Sequence, residues 1–560
     1  MVRPAALFGL YVVLAVGLLL PWRGLLGHPE IDVWNHVWGY WWVADALASG
    51  SLPWRTELMG APSGGVLWYV DLVGAVVQLP VTWALGPAAA YNVAMVGRVA
   101  LAGLAGHLLA EALSRPGAHG AVGGVGFASA PMLLSEVHNG ISEVVAVHWV
   151  GFTLLAAARA VAPGGRRRDW LAVGVLGGVS VLANFYYGLT SGLLVGLAVL
   201  LHARRVDGRW LDWRGPAAAV AVAVPLAAVA LGALRASVAA PDALVRRSAE
   251  LNVALAAHNA VDPRVYVMPG EFFSVDLLAR YGEPFRHTGY LRITAIVLAV
   301  AALWRPGARR WAAVALASLV LGLGPFLWWD EAWVRAGGQL LMLPFGMMQR
   351  LVPELAITHP LRLSVGAQVL VPAIGAAALV GRRAGAVVAV CVLLVAETVW
   401  ASVAVWPVPS SPTDVPAVYD EIAASPDRRA VLDLPAEVGT GMATSRYFWF
   451  QTVHGHPVPY KPDARAGSTG DPETFQWFPQ PAALVGPAAG PVPSARATLG
   501  APEAAHLRAV YGWVVLHLEL DARLPEPGRL RTLVESALGP GAEEGGQVVW
   551  RLPPATPTAR

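Results

Sequence analysis

The segment Pro29-Glu30-Ile31-Asp32-Val33-Trp34-Asn35-His36-Val37-Trp38-Gly39-Tyr40-Trp41-Trp42 is dense in residues capable of chemistry. Wound as a helix at about 100° per residue, it sorts into two faces. Trp34, Trp38 and Trp41 stack on one face with Trp42 beside them, and Asp32, His36 and Gly39 lie roughly opposite. A tryptophan stripe suits the headgroup layer of a bilayer, where an indole buries its ring and keeps its N–H hydrated. That orientation aims Asp32 and His36 away from lipid. Two readings of Asp32 follow. It caps the helix, or it acts as a general base or metal ligand at a membrane surface, oriented by His36 one turn on.

Cationic groups that could hold a departing anion lie far away in sequence. Arg98 falls about two turns into an apolar run. An arginine within a membrane is expensive and marks function by default, with pairing to Asp71 as the alternative. Arg362 follows His359 and Pro360 where another apolar run begins. Its guanidinium suits a bidentate grip on phosphate, or ordinary contact with lipid headgroups. A further polar group, Glu136, His138, Asn139, Glu143 and His148, has spacings that fit no zinc pattern such as H-E-x-x-H. It reads as solvated loop and lumen-facing residues. The long connection at 237–290 carries Glu271, Asp276, Arg280, Glu283, Arg286 and His287. Its aromatic and charged mix suits covering a site or binding an acceptor.

The elements that must position these residues are set by hydropathy. Of the 560 residues 56% are hydrophobic and 14% charged, with mean hydropathy +0.52, whereas an average soluble domain carries about 25% charged residues. Apolar runs of about 20 residues recur, as membrane crossing requires. The net charge of +3, from 40 basic and 37 acidic residues, says little about partners. Cys391 is the single cysteine, so no intrachain disulfide or cysteine metal cluster is available. Arginine supplies nearly all basic charge (Lys461 is the exception), and with so much Ala, Gly and Pro this suggests a GC-rich bacterial genome.

Arginines gather in short loops at 115–119, 166–168, 204–214, 305–310 and 382–383, which the positive-inside rule assigns to the cytoplasm. The first run, 5–20, follows Arg3 and reads as an uncleaved anchor with its N-terminus inside. Paired crossings follow at 121–134 and 144–161, 171–183 and 189–201, 216–233 and 291–303, and 311–327 and 363–380, before a last one at 386–405. Residues 91–113 supply a single crossing. Parity then demotes 66–85, which contains Asp71, Gln78 and Pro80, to an outer-surface hairpin. The expectation is an α-helical polytopic membrane protein with about eleven crossings over residues 1–405 and outer loops at 22–90, 237–289 and 328–361. Past a Pro-rich linker (Pro407, Pro409, Pro412, Pro416), strand-like runs at 430–434, 513–518 and 548–552 alternate with helix-like runs at 415–424, 502–511 and 530–538. That alternation predicts a small extracytoplasmic α/β domain over 406–560.

An acidic residue just after the first crossing, followed by an amphipathic surface helix, resembles the GT-C fold membrane glycosyltransferases. The likeness continues through Leu52-Pro53-Trp54, Ala61-Pro62-Ser63-Gly64-Gly65, Ala90-Tyr91-Asn92, Asn184 to Gly188 and His359-Pro360-Leu361-Arg362. It extends to Val431-Leu432-Asp433-Leu434-Pro435 and Gln451-Thr452-Val453-His454-Gly455. It spans the chain as layout and short patterns, and implies an uncharacterised bacterial member in the plasma membrane. Such enzymes transfer sugars from polyprenyl-phosphate donors to a glycan, lipid or protein acceptor on the outer face. The doubled acidic motif of some members is matched loosely by Glu30 and Asp32. No cofactor is evident, and a divalent metal stays open. The resemblance thus implies Asp32, Glu30 and His36 as catalytic residues, with Arg98, His359 and Arg362 on the lipid phosphate.

No P-loop, G-x-S-x-G elbow, zinc-finger spacing or dinucleotide fingerprint occurs, and nothing points to nucleic acid. Two other readings compete. A lipid or glycan flippase would show repeated halves with helices broken at the midplane, and no such repeat is visible. A non-catalytic scaffold presenting the C-terminal domain would leave Asp32 dispensable.

Overall fold

The computed structural model describes residues 4–203, 210–245, 249–274, 284–305, 307–352, 357–436, 438, 443–462, 469–478 and 498–553. The protein is mostly helical, at 61%. Among the described residues six helices are long and apolar enough to cross a bilayer: Pro87–Leu113, Gly120–Asn139, Ser142–Val161, Arg214–Ala239, Pro360–Leu379 and Ala384–Ala401. Four of them are packed inside the protein, but Arg214–Ala239 is only 11% buried and Ala384–Ala401 only 17%. A 26-residue helix of about 39 Å with its apolar surface uncovered is stable against lipid and not against water. The chain is a membrane protein. Shorter apolar helices, Pro4–Leu19, Phe185–Leu201 and Ile293–Ala302, accompany the six.

Small residues let the inner helices close. Gly106 and Gly123 face each other so tightly that a Cβ on Gly106 would sit 2.4 Å from the Gly123 carbonyl oxygen. This is the close backbone approach that membrane bundles use in place of a hydrophobic driving force. Gly120–Asn139 breaks at Ser129–Ala130 before Pro131, which lacks the N–H that would continue the ladder. Residues 66–85 form two short helices, Leu72–Val77 and Leu79–Leu85, of 6 and 7 residues. Neither can cross a bilayer.

The C-terminal elements follow the sequence closely. Strands β1 (Ala430–Leu434), β2 (Tyr511–His517), β3 (Ala542–Glu544) and β4 (Gln547–Arg551) form one sheet in the order β3-β4-β2-β1. β1 runs parallel to β2, and the β3–β4 hairpin is antiparallel. Helix Val418–Ala424 precedes β1, Ala501–Val510 leads into β2, and Arg529–Leu538 lies between β2 and β3.

This unit is stitched to the first loop of the chain. Leu25–Leu26 pairs antiparallel with Ser410–Ser411, Met59 bridges Val458, and Arg523 pairs with Glu30 at 2.9 Å. The tryptophan helix, Val33–Ala48, packs against the helix Tyr447–His454. Here the structure corrects the sequence reading. Trp34 and Trp38 are fully buried in protein and do not face headgroups. Trp38 donates its indole N–H to Gln451 Oε1 at 2.7 Å and stacks on Trp42, with Phe448 beside it. Trp34 donates to the Pro29 carbonyl at 2.7 Å, and the Arg446 guanidinium lies over its ring. A stripe of indoles suits a dry protein interface as well as a lipid one, and periodicity alone does not separate them.

Candidate functional site

Asp32 occupies the N-cap position of the tryptophan helix, yet its side chain makes no capping hydrogen bond. The capping reading therefore fails. His36, one turn on, is buried against the bundle. Its Nδ1 lies 3.3 Å from Glu143 Oε2 and 3.2 Å from Ser142 Oγ. Ser142 donates in turn to Asp71 Oδ2 at 2.5 Å. Asp71 also accepts from Tyr40 at 3.0 Å and from Arg98 at 2.8 Å. The backbone around His36 is pinned by Tyr69, whose hydroxyl donates to the His36 carbonyl at 2.8 Å. Tyr69 can reach it because Gly39 has no side chain: a Cβ there would lie 2.0 Å from the ring.

Burial pushes the His36 pKa below its ordinary value. Asp32 and Asp71 oppose that shift, and Arg98 and Arg362 reinforce it. Asp32, Asp71, Arg98 and Arg362 thus all act on one imidazole, although they lie as far apart as 330 positions in sequence (Asp32 to Arg362). Burial likewise pushes the Tyr40 and Tyr69 hydroxyls well up, so both act as hydrogen-bond donors at neutral pH.

The residues expected at the phosphate are brought close, but each cation already has a carboxylate. Arg98 is paired with Asp71, the alternative that the sequence left open. Arg362 grips Glu136 through Nε and Nη2, at 3.0 and 3.3 Å, and also lies over the Tyr186 ring. The contact engages one edge of the guanidinium, and Nη1 points away from Glu136. His287 Nδ1 stands 3.2 Å from the same carboxylate. His359 packs edge-on against His287 at 5.7 Å and beside Phe285 at 6.0 Å. Glu30 departs from the expected group, because its carboxylate reaches outward to Arg523.

The polar group at 136–148 requires a second correction. Glu136, His138, Asn139 and His148 are buried and not solvated. Asn139 donates to the Arg286 carbonyl at 2.7 Å and accepts from the Arg286 N–H at 2.9 Å, and His138 Nε2 meets the Pro284 carbonyl at 2.9 Å. The connection at 237–290 is therefore clamped over this group through residues 284–287. Asp276, Arg280 and Glu283 lie outside the described residues.

The sequence reading did not mark Tyr40, Ser142 or Arg292, nor Glu143 as a partner of His36. Arg292 is fully buried and donates to the Ser129 carbonyl and hydroxyl at 3.2 and 3.0 Å and to the Gly126 carbonyl. It thereby satisfies carbonyls released by the helix break at Ser129. Its neighbour Glu397 accepts the Thr294 N–H at 3.1 Å at the start of Ile293–Ala302. Only the rarity of charge inside apolar runs could have flagged either residue.

Chemically the cluster sets a carboxylate at a helix N-terminus one turn from a buried imidazole on which two guanidiniums act. Four carboxylates (Asp32, Asp71, Glu136, Glu143) face two guanidiniums (Arg98, Arg362). A carboxylate beside an imidazole suits removal of a proton from an incoming hydroxyl. Among the described residues no group of three or more His, Cys, Asp and Glu side chains could hold a metal ion. Surface grooves occur elsewhere, one of about 330 Å³ beside Asp427 and Arg551 and one of about 280 Å³ beside Arg159 and Asp169.

No protein-family model matches the sequence, nor does any curated protein. Solved structures do show likenesses. The Archaeoglobus fulgidus oligosaccharyltransferase, tethered to an acceptor peptide, is 11% identical, with a TM-score of 0.49 over 96% of this chain and 71% of that one. The mycobacterial arabinofuranosyltransferase AftD is 15% identical, with a TM-score of 0.49 over 92% and 36%. ArnT from Cupriavidus metallidurans, bound to undecaprenyl phosphate, is 14% identical, with a TM-score of 0.39 over 97% of each chain. All three are GT-C fold glycosyltransferases. The chain is similar to them in layout, at identities and scores too low to carry any statement about what it does.

Proposed function

We propose that this chain is a GT-C fold glycosyltransferase of a bacterial plasma membrane, moving a sugar from a polyprenyl-phosphate donor to an acceptor on the extracytoplasmic side. The observation that carries this reading is Asp32. It stands at the N-cap position of the tryptophan helix without capping it, one turn from His36, and its charge acts on that imidazole together with those of Asp71, Arg98 and Arg362. In the proposed reaction Asp32 takes the proton from the acceptor hydroxyl as it attacks the anomeric carbon. His36, held by Ser142 and Glu143, fixes the electrostatics around that carboxylate. The Nη1 edge of Arg362, with His359 nearby, faces the departing phosphate, and Glu136 holds the guanidinium in place. Arg98 is assigned to positioning, because it anchors Asp71 and through it Ser142. Glu30 joins the first loop to the C-terminal unit and takes no part in the chemistry.

On this reading residues 1–405 cross the membrane about eleven times with the N-terminus inside. Residues 406–560 form an extracytoplasmic domain that braces the tryptophan helix and so keeps Asp32 in register. The test uses the purified protein in nanodiscs with a panel of polyprenyl-phosphate sugars, following release of polyprenyl phosphate. Release from at least one donor is expected. Movement of a lipid-linked glycan between leaflets of proteoliposomes, with no release from any donor, would favour the flippase instead.

A further inference from the structure

Beside the outer ends of two helices lies an apolar surface that the reaction above does not use. Helix Ala308–Gly322 ends against the helical segment Pro360–Leu379. Ser318 donates to the Leu363 carbonyl at 2.7 Å, and a Cβ on Gly322 would lie 3.1 Å from the Ser364 side chain. After Gly322 the chain builds two hairpins in succession. Trp328–Trp329 pairs with Ala332–Trp333, and Arg335–Ala336 pairs with Gln339–Leu340. A short helix, Pro344–Leu351, follows. The Leu343 N–H donates to the Pro325 carbonyl at 2.9 Å, so this helix starts beside a residue three positions past the end of Ala308–Gly322. The turn Pro263–Tyr266 reaches the same level, because Tyr266 donates to the Leu319 carbonyl at 2.7 Å.

The short helix is inside-out for a surface in water. Its buried face carries Phe345, Gly346 and Gln349, whereas Met347 and Leu351 are 54% and 82% exposed, with the exposed Arg350 between them to meet headgroup phosphates. The exposure continues through Val352, Trp329 and Met268. Arg264 lies over the Trp329 ring, so one side of this indole meets a guanidinium while the residue stays half exposed. Indoles, an arginine and an outward apolar stripe at the end of a membrane helix suit the boundary between headgroups and acyl chains. On the helix Ala308–Gly322 Leu316 is likewise 60% exposed.

We propose that the first hairpin and the helix Pro344–Leu351 form a lip that dips into the outer leaflet, with Met347, Leu351 and Trp329 contacting bilayer lipid and the second hairpin standing in water. The structure thus assigns a lipid-binding surface to a connection that sequence reading treats as an outer loop. This inference is independent of the glycosyltransferase reading. Cys391 is replaced (Cys391→Ser), and single cysteines are introduced as Met347→Cys, Leu351→Cys and, at the tip of the second hairpin, Gly337→Cys. Each is spin-labelled in nanodiscs of phosphatidylcholine and phosphatidylglycerol. Collision with oxygen should exceed collision with a water-soluble nickel chelate at positions 347 and 351, and the order should reverse at 337. Nickel access at 347 and 351 equal to that at 337 would overturn the lip, as would protection from both colliders. A second readout guards against a distorted variant. A bulky maleimide should react with the cysteine at 337 in intact nanodiscs, and with those at 347 and 351 only after the bilayer is dissolved. Immediate reaction at all three would overturn the proposal.

Discussion

At the scale of single residues the site is a set of buried charges that hold one another. Removing one partner leaves the other uncompensated in a poorly solvated place, which costs about 3–5 kcal/mol. Arg98→Met should therefore lower the unfolding midpoint in detergent markedly. Asp71→Asn combined with Arg98→Met should cost less than Arg98→Met alone, because no unpaired charge remains. Equal losses for the single and double variants would mean that the pair at 2.8 Å is not the energetic unit. Gly39 makes a separate prediction. A methyl group there collides with the Tyr69 ring that ties down the His36 carbonyl. Gly39→Ala should cost about 1–3 kcal/mol as overpacking, and should reduce transfer beyond what that loss of stability explains. Asp32, His36, Arg98 and Arg362 were legible in the sequence as candidates, from their types and places. Their partners were not. Nothing in a one-dimensional pattern says that Glu136 meets Arg362 or that Ser142 bridges His36 to Asp71, since both contacts need helices distant in sequence to pack.

At the scale of elements the tryptophan helix is the part whose surroundings had to be seen. Periodicity located it and sorted its faces correctly, but its indoles are buried by the C-terminal unit and not by lipid. Gln451 fixes that contact. It accepts from Trp38 at 2.7 Å and donates to the Leu58 and His456 carbonyls at 2.5 and 2.8 Å. Gln451→Leu should strand these buried groups at about 1–3 kcal/mol each, visible as an earlier thermal transition of the tryptophan fluorescence. The neighbouring His454 gives the same interface a pH dependence. Its Nδ1 accepts the His456 N–H at 3.0 Å, so that nitrogen carries no proton, and burial pushes its pKa down to about 3. Above about pH 6.5 the ring is neutral in both folded and unfolded chains and contributes no slope. Below that, the unfolded chain takes up the proton first, so stability falls with pH until the folded pKa is reached. Midpoints measured between pH 7 and pH 4 should fall less steeply for His454→Gln than for the unaltered protein. Unchanged slopes would remove His454 from the account. The sheet beyond was readable, because strands β1, β2 and β4 and their helices fall within a few residues of the expected runs. Hairpin strand β3, three exposed residues of Ala-Glu-Glu, has no apolar pattern to betray it.

At the scale of the whole molecule the membrane character was the firmest inference from the sequence, since hydropathy alone forces it. How the C-terminal unit joins the bundle was invisible there. The first loop pairs with Ser410–Ser411, Arg523 holds Glu30, and Trp34 and Trp38 are covered from the C-terminal side. Ending the chain at residue 405 should therefore expose these indoles and yield a protein that aggregates on size-exclusion chromatography in mild detergent. A monodisperse truncated bundle would show that the C-terminal unit is dispensable for folding. The same architecture leads to the central claim, that a carboxylate held at the outer surface by the bundle on one side and the C-terminal unit on the other performs sugar transfer. The most direct test compares Asp32→Asn with the unaltered protein in nanodiscs, measuring polyprenyl phosphate released from the donor that the unaltered protein turns over. Loss of a general base predicts a rate lower by about 10²–10⁴-fold, with an unchanged unfolding midpoint. Release at the unaltered rate from a folded Asp32→Asn protein would contradict the account.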